Sequence, residues 1–181
     1  MDFLIKMARP DLENLPPLDL PEGYHLATAA DFEDPAPMWA KLINEAFGDR
    51  QWTPQYVEEN YAGGEQYDPR GVFFIMCGDE AVSTAFAWVD QPGETQNGRV
   101  HWVASLPEHR GKGLARLVVA AVLHHLKQRG FAKAFLETQP YRLPAISVYL
   151  KLGFDPVLRN AGNDMREEEA WQQVMDKLGR R

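Results

Sequence analysis

The period of the apolar residues changes several times along the chain, and each change marks an element. Met38, Leu42, Ile43 and Phe47 share one helical face. Asp31 stands ahead of that helix as a candidate cap, Pro35 and Pro37 push its start toward Met38, and Gly48 ends it. Thr53-Pro54 is a cap followed by proline at the first helical position, so Tyr56, Val57, Asn60 and Tyr61 predict a short second helix, stopped by Gly63-Gly64. The period then becomes that of a strand. Residues 71–77 are a compact apolar run, Gly78-Asp79-Glu80 is a turn, and residues 81–90 are a second run, which together predict a β-hairpin. A loop holding Gln91-Pro92-Gly93 and Asn97-Gly98 leads into an extended run over residues 99–104. A helix follows from near Lys112 to about Arg129, with Gly130 as its stop.

The two ends complete the pattern. Pro10, Pro16, Pro17 and Pro21 crowd residues 1–22 and predict an arm without helix or central strand, so the domain is expected over residues 23–181. Residues 24–28 predict a first short strand. Residues 131–138 predict a strand that follows a strand and a crossover helix, and it should therefore lie parallel to the strand over residues 99–104. Residues 145–152 predict a helix with Pro144 near its start, residues 154–158 a last strand, and residues 167–178 an amphipathic helix with Ala170, Trp171, Val174, Met175 and Leu178 facing inward. The order is strand, two helices, antiparallel hairpin, strand, helix, parallel strand, helix, strand. That is an α/β mixed sheet with helices on both faces.

Composition narrows the class. A chain of 181 residues suits one domain with a real core, and 45% hydrophobic with 25% charged residues is ordinary for a globular protein. The net charge of −7 argues against nonspecific nucleic-acid binding and is compatible with a cationic acceptor. Cys77 is the one cysteine, so no internal disulfide forms, and its apolar surroundings read as those of a small hydrophobe. No stretch has membrane-spanning length and no leader pattern opens the chain, so a cytoplasmic protein, monomer or homodimer, with no membrane partner and no metal is expected.

The candidate chemistry sits between the strand over residues 99–104 and the long helix, in Ser105-Leu106-Pro107-Glu108-His109-Arg110-Gly111-Lys112-Gly113-Leu114-Ala115. A helix start presents unpaired N–H groups and the positive end of the macrodipole. Gly111 and Gly113 let an anion approach the backbone, and Arg110 and Lys112 add positive charge, so the stretch reads as a phosphate or pyrophosphate cradle. It is not a P-loop, because Leu114 follows Gly113 and no Ser or Thr stands ready for a metal. A dinucleotide fingerprint is half met by Gly111, Gly113 and a downstream Glu137, but Arg116 fills the third glycine position and the turn is too long. What fits is R-x-x-G-x-A, Arg110 to Ala115, which resembles the acetyl-CoA pyrophosphate loop [QR]-x-x-G-x-[GA] of the GNAT N-acetyltransferases.

A second motif supports that resemblance. Ala145-Ile146-Ser147-Val148-Tyr149-Leu150-Lys151-Leu152-Gly153-Phe154 is similar to the family block A-I-x-L-Y-x-K-L-G-F, and the element order is similar to the GNAT fold from about Tyr24 to Arg159. The chain departs from the family at Arg142, where Asn is frequent three residues before the block, and in lacking a legible seventh strand, which the C-terminal helix could replace. The resemblance implies a mostly antiparallel sheet with a parallel, splayed strand pair. It implies that the pantetheine of acetyl-CoA pairs with the family's fourth strand at Val103, Ala104 and Ser105, and that the pyrophosphate sits on Arg110, Gly111, Lys112, Gly113, Leu114 and Ala115. It implies direct attack of an amine on the thioester in a ternary complex, with an acid for the departing thiolate, a base or water chain for the amine's proton and a backbone donor for the oxyanion.

Each residue also has a plainer reading. Tyr149 is a general acid by its place in the block, or a core tyrosine. Glu137 matches a strand Glu of some family members and is a base, or a salt-bridged strand-end carboxylate. By alternation His101 shares a face with Val103 and Ser105 and would point at the acceptor, or it is a satisfied core histidine. His124 and His125 read as helix surface. The acceptor region holds Phe47, Trp52, Tyr56, Tyr61 and Tyr67 with Asp49, Glu58 and Glu59, which fits a cation or flat ring, or ordinary packing. Two other classes stay open: a nicotinamide-dependent oxidoreductase, opposed by Arg116 and the preceding hairpin, and a catalytically idle acyl-CoA-binding module.

Overall fold

The computed structural model describes residues 3–48, 51–158 and 165–179, with the backbone alone at position 165. Asp49, Arg159 and the outermost residues of the arm and of the domain lie outside the described residues. In chain order the elements are strands β1 (Ile5–Arg9) and β2 (Tyr24–Thr28), helices α1 (Ala36–Phe47) and α2 (Pro54–Val57), strands β3 (Val72–Cys77), β4 (Glu80–Trp88) and β5 (Asn97–Ser105), helix α3 (Leu114–Gln128), strand β6 (Lys133–Thr138), helix α4 (Leu143–Lys151), strand β7 (Asp155–Val157) and helix α5 (Met165–Lys177). The strands form one mixed sheet in the order β2-β3-β4-β5-β6-β1-β7, and β5–β6 is its parallel pair.

The register sorts residues onto the two faces. Phe86 pairs with His101 and Trp88 with Arg99, and Phe86 stacks against Trp39 of α1 at 5.8 Å, so this face meets α1 and α2. Gly98 looks the other way, onto α3. A Cβ there would meet Leu126 Cδ2 at 2.4 Å, so only glycine lets strand and helix approach so closely. Residues 117–123 of α3 are buried without interruption, which makes the middle of that helix apolar all round.

A helix of that kind needs cover on the side away from the sheet, and the first 22 residues help to supply it. They depart from the sequence expectation. Ile5–Arg9 is a sheet strand, antiparallel to β6 on one side and to β7 on the other. The prolines do not prevent this, because Pro10 falls just past the strand and removes no ladder donor. The chain then crosses α3. Leu12 is buried, His124 Nε2 lies 2.9 Å from the Pro16 carbonyl oxygen, and Lys127 pairs with Glu13 at 2.8 Å. His124 is thus not open helix surface, and neither is His125, whose Nε2 lies 3.2 Å from Asp68 Oδ2. A seventh strand therefore comes from the N-terminal segment. Helix α5 does not replace it but packs beside β1, with Trp171 and Val174 buried.

Local signals mostly held. Thr53 Oγ1 accepts a hydrogen bond from the Tyr56 N–H at 3.3 Å and caps α2, which runs on into a wider turn over Glu58–Ala62. Gly48 closes α1 in the left-handed conformation. Helix α1 begins two residues earlier than its prolines suggested, since a proline in the first turn lacks a donor that would have gone unused. Cys77 is half-buried on β3.

Candidate active site

The loop after β5 is built as an open cradle. Pro107–His109 makes one tight turn, which accounts for its length. Gly111 and Gly113 then take φ of 77° and 79°, left-handed values that disfavour a side chain. A Cβ at either would meet no atom within 4 Å, so the surface above them is clear. Gly113 is the cap residue of α3, and no side chain among the described residues caps the helix. The first N–H groups of this 15-residue helix therefore face outward with the positive end of its dipole. Leu114 is buried and anchors the helix start, and Ala115 beside it is small.

The two cations of the loop are engaged by the protein. The Arg110 guanidinium donates to the Ala46 carbonyl at 2.9 Å and, through Nε, to the Ser105 carbonyl at 3.3 Å. Lys112 Nζ donates to Tyr24 Oη at 2.9 Å, and Tyr24 Oη is 2.9 Å from His109 Nδ1. Arg110 thus ties the end of α1 to the end of β5. The groups left open toward an anion are chiefly backbone N–H groups.

Beside the loop the sheet opens. The parallel ladder runs only from Asn97↔Lys133 to Arg99↔Phe135, after which β5 and β6 part. From Val100 to Ser105 the inner edge of β5 has no strand beside it in that ladder. The splay implied by the resemblance is therefore present, and Val103, Ala104 and Ser105 lie on it.

A bulge sits in the same strand, on its other side. On the β4 side the register steps from Phe86↔His101 to Thr84↔Ala104, so Trp102 and Val103 together oppose Ala85. Trp102 has φ of 51°, a left-handed conformation that costs a bulky residue about 1–2 kcal/mol. Its ring is clamped by Trp39 at 5.0 Å, Trp52 at 4.9 Å and Tyr61 at 6.1 Å. The bulge corrects the alternation expected for His101. Phe86 and Thr84 share a face of β4, so His101 shares a face with Ala104, while Val103 and Ser105 do not share it.

His101 lies instead within a cluster on the α1–α2 face. Its Nε2 is 3.2 Å from Tyr61 Oη. Burial, reinforced by the Arg99 charge, lowers the imidazole to about 3, so it is neutral across the working pH range. Burial likewise pushes the Tyr61 phenol up to about 12. Two residues before His101, the Arg99 guanidinium bonds Asp90 Oδ1 at 2.7 Å and Glu137 Oε2 at 3.1 Å. Glu137 stands just beyond the last parallel rung, and Lys6 of β1 is its cross-strand partner. Arg99 therefore bonds Glu137, and its charge also acts on His101.

Tyr149 is placed on α4, 5% exposed, with its ring 6.2 Å from Phe154. Burial pushes its phenol well above the ordinary value, and the Arg142 charge pulls it back in part. Such a group keeps its proton at working pH and can only donate it. Arg142, the departure from the family pattern, lies with its guanidinium 4.4 Å from the Phe47 ring centre.

The aromatics of the acceptor region mostly pack on one another. Trp52 meets Tyr56 at 4.6 Å, Tyr56 meets Tyr61 at 6.1 Å, and Tyr61 meets Trp88 at 5.1 Å. Glu58 and Glu59 are exposed. A concavity of about 260 Å³ lies elsewhere, beside Trp88, Glu94, His125 and Arg129. Asp68, paired there with Arg129 at 2.7 Å, makes it a structural ion-pair knot. Among the described residues no group of His, Cys, Asp and Glu is placed to hold a metal, and no helix is long and apolar enough to cross a membrane.

Arg99, Asp90, Lys6 and Trp102 were not singled out from the sequence, and Tyr61 was named for the acceptor region but not as a neighbour of His101. A charged Arg99 two positions before His101 in a strand was a usable signal, because period two puts both on one face. The bulge left no sequence signal, since its left-handed residue is a tryptophan.

Comparison with known proteins agrees with this geometry. The model of the acetyltransferase (GNAT) family matches residues 36–154, and the chain belongs to that family. It is 29% identical over 162 residues to a mycothiol acetyltransferase of Rhodococcus erythropolis, covering 84% of this chain and 54% of that one. It is 33% identical over 153 residues to a mycothiol acetyltransferase of Nocardia farcinica, covering 78% and 48%. The chain thus spans about half the length of these curated relatives. Among solved structures, a GCN5-related N-acetyltransferase from Sphaerobacter thermophilus superposes with a TM-score of 0.69 at 22% identity, over 85% of this chain and 48% of that one. The ribosomal-protein-S18-alanine N-acetyltransferase of Escherichia coli does so at 0.61 and 20%, over 75% and 79%. These two share the fold.

Proposed function

We propose that the chain transfers an acetyl group from acetyl-CoA to a primary amine of a small molecule or peptide, by direct attack while both substrates are bound. The observation that carries this reading is the uncapped, glycine-lined start of α3 at the end of a strand whose inner edge has lost its neighbour. The phosphates of acetyl-CoA rest on the backbone from Arg110 to Ala115, and its pantetheine runs along Val103, Ala104 and Ser105. The amine nitrogen forms a bond to the acetyl carbon and the carbon–sulfur bond breaks. Glu137 takes the amine's proton, directly or through one water, and Tyr149 gives its proton to the thiolate. The neutral state of His101 supports Glu137, because an imidazole lowered to about 3 is a weak base at neutral pH.

The test is release of free thiol from acetyl-CoA against a panel of primary amines. The acceptor of the mycothiol acetyltransferases is its first member, beside an amino sugar, a polyamine and a short peptide with a free N-terminus. Binding of acetyl-CoA with no thiol release above background would leave an idle binding module.

With an acceptor in hand, the pH dependence of kcat/KM separates the two bases. Glu137→Gln should lose the acidic limb and on the order of 10²-fold in rate. His101→Gln should keep the limb, since a group lowered to about 3 titrates below the assay range. A limb that vanishes only in the His101 variant reverses the assignment. A limb kept by both variants means that the amine loses its proton to solvent before it binds.

A further inference from the structure

The residue that bonds Glu137 and whose charge acts on His101 is itself unassigned. Arg99 belongs to the last parallel rung, at the point where β5 and β6 separate. One arm of its guanidinium reaches Asp90 in the loop after β4, and the other reaches Glu137 on β6. Its side chain is 18% exposed and its Nε is buried with no hydrogen-bond partner among the described residues. A half-buried cation with an orphaned donor loses hydration that its two ion pairs only offset, so this arrangement contributes little to stability. What a planar, two-armed fork does well is fix an angle. The arm to Asp90 sets the plane, and the arm to Glu137 then sets where the carboxylate stands at the mouth of the cleft.

We propose that Arg99 is a positioning residue for acetyl transfer, its guanidinium fixing the Glu137 carboxylate at the branch of the sheet with Asp90 as the anchor. This rests on the transfer reading above. Several other groups bear on the cluster. From β5, His101 feels the Arg99 charge, and so does Tyr61 from the turn after α2. From β1, Lys6 lies opposite Glu137 with its Nζ 4.2 Å from the Phe135 ring centre, and the Arg99 guanidinium is 5.8 Å from the same ring. The branch point is therefore a strip of alternating charge across three strands, and Arg99 is the member in contact with both carboxylates.

The experiment compares wild type with Arg99→Gln, Arg99→Lys and Asp90→Asn. Removing the cation takes away the charge that faces the cluster, so the acidic limb of kcat/KM should move to higher pH in Arg99→Gln. The rate on the amine should fall about tenfold while KM for acetyl-CoA stays within about twofold. Arg99→Lys should return the limb toward the wild-type position without restoring the rate, because it restores charge but not the fork. Asp90→Asn, a change at an exposed side chain, should lower the rate in the same direction with the fold intact. The inference is overturned if Arg99→Gln keeps the limb and the rate of the wild type. It is equally overturned if activity and melting temperature fall together with no movement of the limb. A wild type that releases no thiol with any amine overturns the transfer reading, and with it the inference that rests on it.

Discussion

Gly113→Asp is expected to abolish the stabilisation that acetyl-CoA gives the wild type. At a ligand concentration of about 100 Kd, binding stabilises the folded state by roughly 2.7 kcal/mol. For a domain of this size that is a rise in melting temperature of about 5–10 °C. A carboxylate at position 113 would stand at the open start of α3, where the phosphates are to rest, and repulsion between like charges about 4 Å apart reaches several kcal/mol at an effective dielectric near 20. Backbone strain must be separated from charge, because Gly113 has φ of 79°. Gly113→Asn supplies the control. It has nearly the same shape, tolerates the left-handed region as well as Asp does, and meets open space, since a Cβ there touches nothing within 4 Å. The asparagine variant should keep much of the thermal shift and the aspartate variant none. Equal shifts for wild type and Gly113→Asp would sink the assignment of this loop to acetyl-CoA.

Tyr149→Phe should lower kcat on the order of 10²-fold and leave acetyl-CoA binding nearly unchanged. General acid catalysis contributes about 10²–10⁴-fold where the proton transfer occurs in the transition state. The buried phenol suits the donor role, because burial raises its pKa and keeps it protonated near neutral pH. Phenylalanine preserves the ring and its contact with Phe154, so the packing of α4 stays in place. Loss in kcat without change in binding is the signature of an interaction made only as the thiolate departs. The assay must be one in which chemistry limits the rate, judged by single-turnover measurement. A variant with wild-type turnover there would return Tyr149 to the hydrophobic core.

Arg142 explains why the role of Tyr149 needs a direct test. The family pattern offers an asparagine at that place, and here a cation is drawn over the Phe47 ring and acts electrostatically on the phenol. The same charge that pulls the phenol back from its raised value would favour an anionic sulfur nearby.

The sequence by itself determined the elements whose signals are local. The hairpin of β3 and β4, the cap at Thr53, the stop at Gly48 and the parallel relation of β5 to β6 followed from period, turn residues and crossover length. The cradle was legible for the same reason, since a helix start carries its anion site in its own backbone. The motif block nominated Tyr149, and spacing before that tyrosine nominated Glu137, as candidates. Tertiary structure decided what depends on partners distant in the chain. Residues 5–9 form a strand because β6 and β7 leave a place between them, and a count of prolines cannot see that place. Trp102 takes a conformation disfavoured by its own side chain because Trp39, Trp52 and Tyr61 hold it there, and that bulge moves His101 off the face of Val103 and Ser105. The protonation of His101 and the ion pairs of Arg99 are likewise set by burial and by charges brought from other strands, which no spacing along the chain encodes.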